Sequence, residues 1–326
     1  MKVIVTGGAG FIGSHVVDAC LREGHDVLVL DNLSTGRLEN LEHVKSQIAF
    51  EQVDLGKNGG WSDLFRGCDW VIHLAALADI VPSIQNPEHY FHSNVSATLN
   101  VLEAARANSV KRFVYSASSS CYGIADTYPT PETSRISVEY PYALTKRLGE
   151  ELVLHWAKVY GLPAVSLRFF NVYGTRSRTS GTYGAVFGVF LAQKLAKKPL
   201  TVVGDGTQTR DFTYVSDVAD AVLAACKSDV NGEVFNVGSG KSVSVNAITE
   251  LLGGDVVYIP SRPGEPKVTF ADITKINQMI GWSPKISIQE GVAKINANID
   301  YWKDAVVWTP QTISDATADW FKYLSK

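Results

Sequence analysis

Short apolar runs alternate with stretches of helical periodicity from the first residues of the chain. Residues 2–6, 26–30, 48–53, 70–73, 112–115 and 164–167 are rich in β-branched and aromatic side chains and close to continuously apolar, as strands covered on both faces of a parallel sheet must be. Between them, residues 11–23, 93–108 and 141–160 repeat their apolar positions at helical spacing. Pro141 stands in a first turn, where its missing N–H costs nothing. This alternation predicts an α/β fold: a doubly wound parallel-sheet Rossmann domain.

Beyond residue 168 the pattern loosens. Gly- and Pro-containing stretches at 174–184, 204–206 and 260–266 separate short elements, which predicts a smaller mixed α/β lobe suited to holding a substrate. Residues 211–226 read as helical and 233–237 as extended. The expected division is therefore 1–168 for the nucleotide-binding domain, with 212–237 returning to it, and 169–211 plus 238–326 for the substrate lobe. The tail from residue 286 places Trp302, Trp308 and Trp320 on helices, where packing accounts for them.

Charge and cysteine usage remove several classes of function. A net charge of -3 over 326 residues, with acids and bases interspersed, offers no basic stripe for nucleic acid. The apolar start Val3-Ile4-Val5-Thr6 is too short for a secretory segment, and no run approaches the roughly 20 apolar residues that span a bilayer, so no membrane partner and a cytoplasmic location are expected. Cys20, Cys68, Cys121 and Cys226 are scattered without a C-x-x-C pair, which argues for neither a metal site nor a disulfide framework.

Candidate chemistry begins at Thr6-Gly7-Gly8-Ala9-Gly10-Phe11-Ile12-Gly13, between the first strand and the first helix. Glycines spaced as Gly7, Gly10 and Gly13 let a pyrophosphate approach backbone N–H groups at a helix N-terminus. Asp31 closes the second strand, where a carboxylate accepts hydrogen bonds from ribose hydroxyls and repels a 2'-phosphate, so NAD is expected over NADP. It also opens the turn Asp31-Asn32-Leu33-Ser34-Thr35-Gly36, and Asp54 after the third strand is placed to meet the adenine.

Tyr142 and Lys146 lie four residues apart and share one helix face. A phenol of reference pKa about 10 becomes a usable base when a cation favours its phenolate, which suits proton removal from a carbinol during hydride transfer. The hydroxyl-rich turn Tyr115-Ser116-Ala117-Ser118-Ser119-Ser120-Cys121-Tyr122-Gly123 follows the fifth strand, at the sheet edge where such folds bind ligands.

With these motifs in this order the sequence resembles the extended short-chain dehydrogenase/reductase family, and within it the nucleotide-sugar epimerases and dehydratases. The resemblance runs to about Val292 and includes His73-Leu74-Ala75-Ala76, Ser93-Asn94-Val95, Arg168-Phe169-Phe170-Asn171-Val172-Tyr173-Gly174, Thr209-Arg210-Asp211-Phe212, Arg262-Pro263-Gly264-Glu265-Pro266 and Gly281-Trp282-Ser283-Pro284. It implies that Tyr142 is the base, that Lys146 modulates it and holds the nicotinamide ribose, and that Ser118 is the hydroxyl partner. The implied cofactor contacts add Leu55, Leu74, Ala75, Ala76, Asn94, Ser116 and Phe169. The implied substrate contacts are Ser83, Ser118, Ser119, Ser120 and Tyr142 for the sugar, with Asn171, Arg210 and Arg262 on the diphosphate.

In such enzymes the C4 hydroxyl of the sugar is oxidised first. Family dehydratases then use Asp-Glu at positions occupied here by Ser119 and Ser120. Without those carboxyls elimination lacks its acid and base, and a UDP-sugar 4-epimerase working as a homodimer is the expected member. A 4,6-dehydratase or ketoreductase, or a non-catalytic NAD-binding regulator, are the alternatives. Leu77-Ala78-Asp79-Ile80-Val81-Pro82-Ser83 resembles the epimerase substrate loop, with Ala78 where some hexose epimerases carry lysine.

Overall fold

The computed structural model describes residues 1–179 and 186–325, so part of the Gly-rich stretch 174–184 lies outside the described residues. The first half runs β1 (Lys2–Thr6), α1 (Phe11–Arg22), β2 (Asp26–Asp31), β3 (Ile48–Gln52), β4 (Trp70–His73), α2 (Ile80–Gln85), α3 (Pro87–Phe91), α4 (Ala97–Ala107), β5 (Arg112–Ser118), α5 (Pro141–Tyr160) and β6 (Ala164–Phe169). The second runs β7 (Asn171–Tyr173), α6 (Val186–Leu195), β8 (Leu200–Val203), β9 (Thr209–Arg210), β10 (Phe212–Tyr214), α7 (Val215–Lys227) and β11 (Glu233–Val237). It ends with β12 (Val243–Ser244), α8 (Val245–Leu252), β13 (Val256–Ile259), α9 (Thr274–Ile280), α10 (Ile288–Ala297), α11 (Pro310–Ala316) and α12 (Ala318–Leu324).

Seven strands form one parallel sheet in the order β11-β6-β5-β4-β1-β2-β3. The period-2 geometry of a strand sorts its side chains between two layers. Val3, Val5, Val27 and Val29 pack with Val16, Val17, Val218 and Val222 of α1 and α7. Ile4, Leu28, Leu30 and Phe113 pack with Val101, Leu102 and Val153 of α4 and α5. Each such side chain contributes about 1.5–3 kcal/mol by leaving water. Strand order reverses between β1 and β4, and Thr6, Asp31, His73, Ser118 and Phe169 all end strands at the same carboxyl edge, where a crevice must open.

Several elements differ from the sequence expectation. Strand β5 continues to Ser118 because its polar end is paired in register, Ser116 with Leu167 and Ser118 with Phe169. The helix expected over 93–108 is α-helical only from Ala97 and is entered through a wider π turn at His92–Ser96. Residues 211–226 start extended, since Phe212–Tyr214 pairs with β7 before α7 begins. In the tail, Trp302 ends a 3-10 turn, Trp320 lies on α12 and Trp308 lies outside the helices.

The second core gathers Tyr173, Phe187, Phe190, Phe212, Tyr214 and Trp302. Phe11 and Ile12 at the start of α1 pack against it as well, so the glycine turn sits where the two cores meet. The junction is fastened by Arg176, whose Nη2 is 2.5 Å from Asp18 Oδ2, and by Tyr301, whose hydroxyl donates to Asn40 Oδ1 at 2.9 Å.

Candidate active site

A cavity of about 680 Å³ runs along the carboxyl edge of the sheet into the cleft between the two cores. Its first stretch is lined by Gly7, Gly10, Phe11, Ile12, Gly13, Asp31, Asn32, Ser34, Thr35, Gly36, Asp54, Leu55, Leu74, Ala75, Ala76, Ser116 and Phe169. Ser118, Ser119, Ser120, Tyr142, Asn171, Arg210 and Arg262 line the remainder. Three residues singled out in the sequence, Ser83, Asn94 and Lys146, are instead buried outside this lining.

The glycine turn has the shape of a phosphate cradle. Gly7 has φ +69, and a Cβ there would lie 2.7 Å from Ala75 N. A Cβ on Gly13 would lie 2.1 Å from Gly7 O, so any side chain would wedge the turn away from the helix. The N-cap Gly10 carries no side-chain cap, which leaves the first N–H groups of α1 for an anion in the cavity. Asp31 accepts from Ala9 N at 3.0 Å and from Leu33 N at 2.8 Å, bracing the turn with the same carboxyl that lines the cavity; burial pushes that carboxyl up. These residues fit a dinucleotide.

Behind the cradle, hydrogen bonds fix the His73 tautomer. Thr98 Oγ1 donates to Asn94 O at 2.6 Å, so His73 Nε2–H donates to Thr98 Oγ1 at 3.0 Å. His73 Nδ1 then accepts from Thr6 Oγ1 at 2.7 Å, and Thr6 Oγ1 in turn accepts from Leu74 N and Ala75 N at 3.2 Å each. Burial pushes the imidazole down to about 3, so it is neutral at ordinary pH and serves as a strut for the cavity-lining 74–76 turn.

Asn94 works in a similar way rather than as a wall residue. Its amide accepts from Leu77 N at 2.7 Å and donates to Leu77 O at 3.0 Å and to Thr145 Oγ1 at 2.9 Å, joining the loop after β4 to α5. The π turn re-aims this side chain inward. Ser83, expected on the sugar, is fully buried and donates to Ile80 O at 2.6 Å, a bond within its own helix.

At the end of β5, Ser118 Oγ accepts from Ser120 N at 3.2 Å. Burial raises the Tyr142 phenol, and a hydrogen bond with Ser118 pulls it back in part. Lys146 Nζ lies 3.4 Å from Ser116 Oγ and 4.6 Å over the Tyr115 ring; burial pushes the ammonium down to about 7, opposed by Glu150. Desolvation is the largest influence on both groups in this pocket.

Glu150, buried one turn beyond Lys146, is forked by Arg168 at 2.7 and 3.0 Å, accepts from Ser166 Oγ at 2.9 Å and is bonded to Arg147. Arg168 also donates to Tyr122 Oη at 2.8 Å, and Tyr122 donates to Asn236 Oδ1 at 2.7 Å. The network ties α5 to β6, β11 and the turn after β5. In the second lobe Arg210 Nη2 is 2.7 Å from Glu265 Oε1, Asn171 Oδ1 accepts from Thr269 Oγ1 at 2.9 Å, and the Arg262 guanidinium lies 5.4 Å from the Trp320 ring centroid.

The wall also holds Glu139 and Tyr140, which no motif marked, Asp79 of the 77–83 loop, ion-paired with Arg178, and Trp308 and Trp320, which were expected only to pack. Tyr140 was within reach of inference, standing two residues before Tyr142 and just ahead of the helix-starting Pro141. No local spacing marks Trp308 or Trp320.

The sequence profile of the NAD dependent epimerase/dehydratase family matches residues 3–238. The chain belongs to the NAD-dependent epimerase/dehydratase family. It is 36% identical over 304 residues to a putative UDP-glucose 4-epimerase of Methanocaldococcus jannaschii, covering 90% of this chain and 96% of that one. The crystal structure of UDP-glucose 4-epimerase from Thermotoga maritima with UDP-glucose matches at TM-score 0.86 and 34% identity, over 93% of this chain and 99% of that one. UDP-glucuronic acid 4-epimerase from Bacillus cereus, in complex with UDP-glucuronic acid and NAD, matches at TM-score 0.83 and 34% identity over 93% and 99%. Within this epimerase/dehydratase chain, the profile match takes in the glycine turn, Ser118, Tyr142 and Lys146; Arg262 and Trp320 lie beyond it.

Proposed function

We propose that the protein is an NAD-dependent UDP-sugar 4-epimerase that works through a transient 4-keto sugar. In this reading, residues 1–168 with 212–237 hold the cofactor and 169–211 with 238–326 hold the substrate. The glycine turn receives the pyrophosphate, and Asp31 receives the adenosine ribose and disfavours a 2'-phosphate. Bound along the glycine turn and the 74–76 turn, NAD would supply a reversible hydride acceptor at C4. Tyr142 takes the proton of the C4 hydroxyl, with Ser118 bridging the sugar oxygen and the phenol. Lys146, lodged beside Ser116, holds its charge or hydrogen bond next to the cofactor's ribose. Asn171, Arg210 and Arg262 take the diphosphate, Arg210 sharing its guanidinium with Glu265. Once the keto sugar presents its other face, Tyr142 would return the proton to the C4 oxygen.

One observation carries the choice of 4-epimerase over dehydratase. The turn after β5 brings only hydroxyls, Ser118, Ser119 and Ser120, to the cavity. Two carboxyls from neighbouring segments also line the cavity, Asp79, ion-paired with Arg178, and Glu139, which accepts from Ser137 Oγ at 2.9 Å, but neither stands on this turn, where the family dehydratases carry theirs. Epimerisation needs no further acid or base, because the base and the hydride acceptor of the forward step serve the return.

The test is product analysis with UDP-glucose, UDP-galactose and their N-acetyl forms. Interconversion at C4 without net NADH is expected; a 4-keto-6-deoxy product or stoichiometric NADH consumption overturns the reading. The reading includes a cytoplasmic homodimer built on α4 and α5, a pairing supported by exposed Leu99, Leu144, Val159 and Tyr160 on these helices. Light scattering at twice the chain mass is the expected result.

A further inference from the structure

The segment after α10 forms a strap across the cavity. Trp308 O accepts from Gln193 Nε2 at 2.8 Å, anchoring the strap to α6. On α12, Asp319 Oδ2 accepts from Gln85 Nε2 of α2 at 2.8 Å, while Trp320 Nε1 donates to Pro263 O at 2.8 Å. One short helix thus joins the loop helix of the first domain to the Arg262 loop of the second. Its Trp320 is 6% exposed and lines the cavity.

Trp320 completes a row of side chains. The Tyr142 and Tyr140 rings are 6.4 Å apart and nearly parallel, Tyr140 and Trp320 are 6.4 Å apart at 44°, and the Arg262 guanidinium lies 5.4 Å beyond. Between the proposed base and a proposed diphosphate ligand, the wall offered to the sugar is therefore two aromatic rings.

We propose that Trp320 is a specificity-determining residue: with Tyr140 it gives an uncharged hexose a wall that either face can use, and it disfavours a hexose bearing a carboxylate. The proposal rests on the 4-epimerase reading, which requires the sugar to be held in two orientations. Directional hydrogen bonds fit one orientation, whereas ring faces pack against C–H surfaces of both. A carboxylate on this wall finds no spare counter-charge among the described residues. The lining cations are Arg178, paired with Asp79, Arg210, paired with Glu265 and assigned above to the diphosphate, and Arg262, assigned to the diphosphate as well. Its desolvation would go uncompensated.

The experiment compares the NAD-loaded wild type with Trp320→Ala and with Trp320→Leu, which keeps apolar volume for packing against Pro263 should the alanine variant fail to fold. Turnover of UDP-glucose, UDP-N-acetylglucosamine and UDP-glucuronate is measured together with calorimetric binding of UDP and UDP-glucose. For the wild type, kcat/KM for both neutral sugars should exceed that for the uronate by at least about 10-fold. In Trp320→Leu, KM for UDP-glucose should rise about 5-fold or more while kcat and UDP affinity stay within about 2-fold. Uronate turnover equal to that of the neutral sugars, an unchanged KM, or an equal loss of UDP affinity overturns the proposal. Failure of the wild type to epimerise any UDP-sugar instead overturns the parent reading, and the UDP against UDP-glucose comparison still decides whether Trp320 touches the sugar.

Discussion

Lys146 Nζ lies 3.4 Å from Ser116 Oγ, buried behind the cavity lining and one helical turn from Tyr142. Burial holds the ammonium near 7, against about 10.4 in an unfolded chain. Between those values the unfolded state binds the proton more often than the folded one, so raising the pH through that window adds stability; below about 7 both states are protonated and the penalty is constant. Melting of nucleotide-free protein should therefore shift upward between pH 7 and pH 9.5 relative to Lys146→Met. Parallel pH profiles for the two proteins would show that Lys146 carries no such linkage.

The Glu150 and Arg168 pair is nearly inaccessible, with side-chain exposures of 1% and 4%. Removing one partner leaves a buried charge. Glu150→Gln should cost about 3–5 kcal/mol in a denaturant titration. The double variant Glu150→Gln/Arg168→Met should recover part of that loss, giving a coupling energy above about 1 kcal/mol. Additive losses would mean that Arg147 and Ser166 already satisfy Glu150.

Gly13→Ala tests the cradle. The new Cβ would sit 2.1 Å from Gly7 O, so the turn must move. NAD content of the purified protein, read after denaturation, should fall at least about 10-fold with the fold retained by circular dichroism. Full occupancy would place the pyrophosphate elsewhere.

The strands and the glycine turn were legible because a parallel sheet covered on both faces writes itself as apolar runs, and because Gly7 and Gly13 occupy sites that no other residue fits. The ends of β5 and β6 were not, since Ser116 and Ser118 are held by register with a neighbouring strand rather than by their own propensity. Asn94 was legible as a motif but not as a brace: the π turn that points it at Leu77 is a tertiary outcome. Charge on Lys146 was the natural reading of a Tyr-x-x-x-Lys spacing, whereas its burial depends on Tyr115 and β5 across the sequence. Trp320 reaches the cavity from 180 residues beyond Tyr140, a distance over which no periodicity carries information.

The central claim is that the Tyr142 hydroxyl moves the proton at the sugar carbon. Tyr142→Phe removes that one oxygen and keeps the ring that stacks on Tyr140. Epimerisation of UDP-glucose by this variant, purified with its NAD content verified, should show kcat reduced by about 10²–10⁴-fold with KM little changed. A kcat within a few-fold of wild type at full NAD occupancy would contradict the account.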